Sequence, residues 1–209
     1  MSHRDTVDRL LREHGTTYAD EAGIRLRDTP APLFQLLCLT QLFAAPIGAS
    51  VAVATMRELL GAGWTTPQHL LDSTWRERVD ALGRGGYRRY DESTATYLAQ
   101  MAQLLQERWR GDLRRLHETA EDEGSLRSLL EEFPRVGPTG SGIFCREVQA
   151  VWPDLRPQVD GRVRRGARAV GLPTDPENLA ALVDGDDLAR LTAALVRVDL
   201  DGGHDAVRA

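Results

Sequence analysis

Asp160 stands in Val159-Asp160-Gly161-Arg162-Val163-Arg164-Arg165, one carboxylate followed at once by three guanidinium groups. A fixed anion stabilises positive charge developing on a reacting carbon and can orient a water for attack, while arginines grip phosphate oxygens. The same carboxylate has a plainer use, because Asp is a favoured helix N-cap. Upstream lies Phe133-Pro134-Arg135-Val136-Gly137-Pro138-Thr139-Gly140-Ser141. Its prolines and glycines force a sharp turn, in which Gly137 is expected to take a positive φ. The unpaired N–H groups opening the helix after Pro138 then form an anion site at the positive end of the helix dipole, fit for one phosphate and blind to base sequence.

Helices must hold these residues, and the chain reads as helical throughout. Apolar residues recur at three-or-four spacing in Val7-Leu10-Leu11, Leu33-Leu36-Leu37, Tyr97-Leu98-Met101-Leu104-Leu105, Leu126-Leu129-Leu130 and Leu188-Leu191-Leu195. Helix starts are signalled by Thr66-Pro67, by the capping box Thr74-x-x-Glu77, and by Thr174-Asp175-Pro176-Glu177. No run alternates long enough for a strand, so the expected class is all-α. Disorder is expected only at the first few residues and over Asp199 to Ala209.

Composition narrows the chemistry. A chain of 209 residues with 42% hydrophobic content can build a sizeable core in one domain or two small lobes. The net charge of −5 hides an asymmetry: Arg135 to Pro173 holds seven arginines against three acidic residues, with acidic clusters elsewhere. Such a local basic face suits a polyanion, although arginine runs are also common on solvated helix faces. All 26 basic residues are arginine, so no lysine side chain is present to form a Schiff base. Cys38 and Cys145, both in apolar helical stretches, read as buried reduced thiols and are too few for a four-cysteine iron–sulfur cluster. His69 and His117 have no ligand spacing, so no metal is expected. Leu36 to Val53 is broken by Thr40, Gln41, Pro46 and Ser50 and reads as a buried helix-loop-helix rather than a membrane span. No export signal is visible after Met1, and a cytoplasmic monomer without a membrane partner is expected.

The pieces together resemble the helix-hairpin-helix (HhH-GPD) DNA glycosylase superfamily in its endonuclease III-like branch. In that family the turn reads Leu-Pro-Gly-Val-Gly, matched here at Pro134, Val136 and Gly137, and an Asp follows a second helix, matched by Val159-Asp160-Gly161-Arg162-Val163. Leu36-Leu37-Cys38-Leu39-Thr40-Gln41 is similar to the helix ending in the Gln that enters the duplex beside a flipped base. Gly83-Arg84-Gly85-Gly86-Tyr87-Arg88-Arg89-Tyr90 lies where relatives carry an aromatic loop before a long helix, which makes Tyr87 and Tyr90 candidates for stacking on that base or for packing. The resemblance runs from about Pro30 to Pro173. It implies a two-lobed helical architecture with a DNA cleft: residues 30–132 in one lobe, and 1–29 with 133–209 in the other, carrying the hairpin over about 129–150 and the Asp loop over about 157–165.

The same resemblance assigns Asp160 as catalytic, and Arg135, Val136, Gly137, Thr139, Gly140, Arg162, Arg164 and Arg165 as DNA-binding, with Gln41, Tyr87 and Tyr90 at the flipped base. It implies no cofactor beyond room for a monovalent cation at the hairpin. Three positions depart from the pattern. Arg135 replaces the first hairpin Gly, Thr139 stands where lyase-capable members carry Lys, and Leu37 stands where adenine-removing members carry a catalytic Glu. The expected function is a monofunctional DNA N-glycosylase of base-excision repair, hydrolysing the glycosidic bond of a damaged or mismatched base in double-stranded DNA with Asp160 and water. The alternatives are a catalytically inactive helix-hairpin-helix protein that binds damaged or structured DNA, and a helical protein with no nucleic-acid role.

Overall fold

The computed structural model describes residues 2–200. Among the described residues the chain is all-helical, without a strand, as the apolar spacing predicts. Its helices are α1 (His3–His14), α2 (Tyr18–Glu21), α3 (Pro30–Leu42), α4 (Ala49–Gly61), α5 (Pro67–Leu71), α6 (Trp75–Arg84), α7 (Asp91–Trp109), α8 (Leu113–Thr119), α9 (Glu123–Glu131), α10 (Pro138–Val148), α11 (Gly161–Ala169), α12 (Pro176–Ala180) and α13 (Leu188–Leu200). By internal packing they divide into a middle unit, Ala19–Phe144, and a terminal unit formed by the residues up to Tyr18 with those from Cys145 onward.

In the middle unit α3 is apolar on every side. Leu33, Phe34, Leu36, Leu37, Leu39 and Leu42 are all buried, so the helix is a core element packed against α4, α7 and α8. Each such side chain removed from water contributes roughly 1.5–3 kcal/mol before the entropy of ordering is counted. The expected helix-loop-helix over Leu36 to Val53 is α3, a short loop and α4. The long helix α7 packs against α5, α6 and α8. Thr66 caps α5 by accepting from the His69 N–H, and Thr74 with Glu77 closes the expected capping box of α6.

In the terminal unit α13 packs against α1 and α11. The approach of α11 is close enough to require glycine, since a Cβ on Gly166 would lie 2.0 Å from the Leu195 carbonyl oxygen. Of the paired signals at Thr174-Asp175, it is Asp175 that caps α12, accepting from the Asn178 N–H.

Two expectations about extent change. Disorder does not begin at Asp199, which lies in α13 with a side chain only 11% exposed; residues 201–209 lie outside the described residues. At the other end Ser2 closes a capping box with Asp5, so helix begins at His3. The units also divide elsewhere than at 29/30 and 132/133, because the hairpin turn is tied to the middle helices. Gln41 of α3 donates to the Pro134 carbonyl at 2.7 Å, and Arg135 lies over the Tyr97 ring of α7.

Candidate nucleic-acid interface

The hairpin is α9, a turn and α10. Phe133 and Val136 are buried and anchor the turn, and the Val136 N–H donates to the Phe133 carbonyl at 3.0 Å. That closure makes Pro134 and Arg135 the central residues. Arg135 has φ +66°, whereas Gly137 is not among the positive-φ glycines. The expectation for Gly137 is therefore corrected. A turn with Pro at its second position and a positive φ at its third is of type II, so the strain falls on the residue after Pro134. A left-handed backbone costs a residue with a Cβ roughly 1–2 kcal/mol. The Arg135 guanidinium, 5.6 Å from the Tyr97 ring centroid, offsets part of this.

Beyond the turn, the N–H groups of Gly137 and Thr139 have no hydrogen-bond partner among the described residues. They border an open groove of about 690 Å³ with Phe43, Ala44, Pro134 and Ile143 along its walls. Unpaired N–H groups at a helix start are where an anion can be held. Val136 and Gly140 serve this helix start indirectly. The Val136 N–H is used within the turn, and Gly140 is buried, its missing Cβ making room for Val136 and for Thr40 of α3. Glu131 also lines the groove and accepts from the Ser141 hydroxyl at 2.8 Å, so the surface is not purely basic.

Asp160 is the N-cap of α11. Its Oδ1 accepts from the Arg162 and Val163 N–H groups, each at 2.9 Å, and its Oδ2 accepts from Nη1 of Arg146 at 2.5 Å. The Asp160 side chain is 32% exposed and that of Arg146 only 4%. The loop leading to Asp160 is held by the buried Gln149 of the following turn, whose Oε1 accepts from the Gln158 N–H and whose carbonyl accepts from Arg156 Nε. The capping carboxylate thus keeps about one-third of its side chain exposed to solvent.

The other expected site residues lie differently. Gln41 is 2% exposed, its amide nitrogen donating to the carbonyls of Pro134 at 2.7 Å and Tyr97 at 3.3 Å. It clips the hairpin to the middle helices and is no exposed wedge, because its amide completes backbone bonds the turn leaves open. Tyr87 is 2% exposed, and its hydroxyl donates to the Leu42 carbonyl. Burial pushes its phenol above the ordinary value, and the ring is core rather than a free stacking face. Tyr90 is half-buried with Arg89 over its ring, and it borders a small cavity together with Gln41, Tyr87 and Arg135.

The arginine face is largely engaged. Arg165 makes two bonds to Asp199, at 2.7 and 2.9 Å, Arg162 adds a third at 3.1 Å, and Arg164 donates to the Thr174 carbonyl at 2.7 Å. Two of the arginines expected at DNA share one carboxylate, because α13 brings Asp199 against α11, and their side chains remain about half exposed. The residues that sequence reasoning passed over are Arg146, Gln149 and Asp199. Only Arg146 left a local signal, as a charge directly after the apolar run Ile143-Phe144-Cys145. Cys38 and Cys145 are both buried, and burial pushes the Cys38 thiol far above its ordinary value.

No protein-family model matches the chain, and no curated protein matches its sequence. Solved structures do match its fold. A non-covalent endonuclease III–DNA complex matches with a TM-score of 0.51 and 16% identity, over 95% of this chain and 86% of that one. A trapped endonuclease III–DNA covalent intermediate, an estranged-adenine complex, matches with a TM-score of 0.50 and 15% identity over the same shares. With the helix-hairpin-helix turn and the Asp-capped helix in their expected order, the chain has the all-helical endonuclease III-like (HhH-GPD) fold.

Proposed function

We propose that this chain is a DNA N-glycosylase that removes a base by hydrolysis and has no lyase step. The observation that carries the reading is Asp160, a carboxylate one-third open at the start of α11 within a fold similar to DNA-bound endonuclease III. The hairpin supplies the grip, with the Gly137 and Thr139 N–H groups directed to one phosphate. Asp160 supplies the fixed negative charge. As the C1′–N bond breaks, its electron pair leaves with the base and positive charge spreads over C1′ and the ring oxygen, where an anion stabilises it. A water oxygen then bonds to C1′, and the proton it loses balances the one gained by the departing base. One of the similar structures is a covalent protein–DNA intermediate. This chain has no lysine, so its side chains provide no amine for an imine, and water is left as the nucleophile.

The test is incubation with duplexes that each carry one uracil, one N-alkylated purine or one oxidised base. Strands should break only after alkali, which cleaves the abasic site. Breakage without alkali would contradict the water mechanism. A second reading, a DNA-binding protein without activity, is favoured by one observation: the Arg146 ion pair compensates much of the Asp160 charge. Lesion-duplex binding with every base left in place would support it.

A further inference from the structure

We infer that Arg146 is a positioning residue for base removal, acting through Asp160; the inference rests on the glycosylase reading above. The Arg146 side chain is 4% exposed, and its Nη1 meets Asp160 Oδ2 at 2.5 Å. Its Nε is buried with no partner among the described residues. Taking a guanidinium out of water is repaid only when the pairing is good and the remaining donors are satisfied. Here one donor is not. As a stabilising device the arginine is costly, because its Nε is buried without a partner while the Asp160 carboxylate it meets is already held by two backbone N–H groups.

What the guanidinium provides is a second fixed point. Asp160 Oδ1 is already pinned by the Arg162 and Val163 N–H groups. Held there alone, the carboxylate plane can swing about its last bond; held at Oδ2 as well, it cannot. An electrostatic stabiliser works when its charge is in place before the bond breaks, and a displacement of about 1 Å at a reacting centre costs on the order of a hundredfold in rate. The arginine also opposes the field of Asp160. That penalty is the smaller effect on this account, because the Arg146 side chain is 4% exposed and a sugar would meet Asp160 through its exposed third.

The experiment compares wild type, Arg146→Met and Arg146→Lys on the uracil, alkylated-purine and oxidised-base duplexes. It reads the single-turnover excision rate, the duplex Kd and the Tm. Arg146→Met should lower the excision rate by tenfold or more, with Kd unchanged and only a small fall in Tm, because the Asp160 carboxylate left behind is one-third exposed and still capped by two N–H groups. Arg146→Lys should recover part of the rate by restoring a donor to Oδ2. Excision by Arg146→Met at the wild-type rate overturns the positioning role and leaves the glycosylase reading intact. So does a fall in rate that only follows losses in Kd and Tm. A wild-type protein inert on every duplex overturns the reading and the positioning role together.

Discussion

At the scale of single residues, the hairpin separates conformational need from close approach. Arg135 holds a left-handed backbone, so Arg135→Val, with branching at Cβ, should destabilise the protein by about 1–3 kcal/mol in urea or thermal melts. Gly137 has no positive φ, and an added Cβ meets nothing within 4 Å. Gly137→Ala should therefore keep stability within about 0.5 kcal/mol of wild type. If the hairpin grips DNA as proposed, the variant should still weaken binding to duplexes of every sequence alike, because the methyl group would stand beside the N–H that holds the phosphate. Unchanged affinity in a folded Gly137→Ala variant would remove this turn from the interface. Pro134 as a turn former was legible in the sequence. Which neighbour took the positive φ was not, since that depends on where the turn closes.

Between elements, the terminal unit depends on one close helix crossing and one shared carboxylate. Gly166→Ala drives a methyl group into the Leu195 backbone, which cannot yield as a flexible side chain would. We expect a loss of about 1–3 kcal/mol, read as a lower Tm. Asp199 is held below the ordinary carboxylate value of 3.8 by its bonds to Arg165 and then Arg162. A lowered folded-state value gives stability that is present above the ordinary value and is lost as pH falls through it toward the folded-state value. Asp199→Asn should thus be less stable than wild type at neutral pH, and the two should converge in melts taken below pH 3.8. A constant gap across that range would show that the ion pairs contribute nothing. The capping signals at Thr66, Thr74 and Asp175 were legible because a cap is local. The pairing of Arg165 with Asp199 spans 34 residues and belongs to tertiary packing, which no spacing rule reveals.

For the whole molecule, the order of motifs carried most of the information. An all-α fold, the hairpin over α9 and α10, and an Asp capping the next long helix were readable from apolar period, turn residues and caps. The burial of Gln41 and Tyr87 was not, because a Gln at a helix end and a Tyr in a glycine-rich loop look the same from sequence whether they face solvent or core. Nor was the Arg146–Asp160 pair, which joins separate elements. The absence of lysine remains the broadest constraint. Borohydride added during base removal should therefore trap no protein–DNA adduct, and an adduct mapped by peptide analysis to the amino terminus would overturn water as the nucleophile. The most direct measurement is single-turnover excision and Kd for wild type and Asp160→Asn on the same lesion duplex. Removing the charge while keeping the shape should lower excision by roughly a hundredfold or more with Kd unchanged; equal excision rates in the two proteins would contradict a catalytic Asp160.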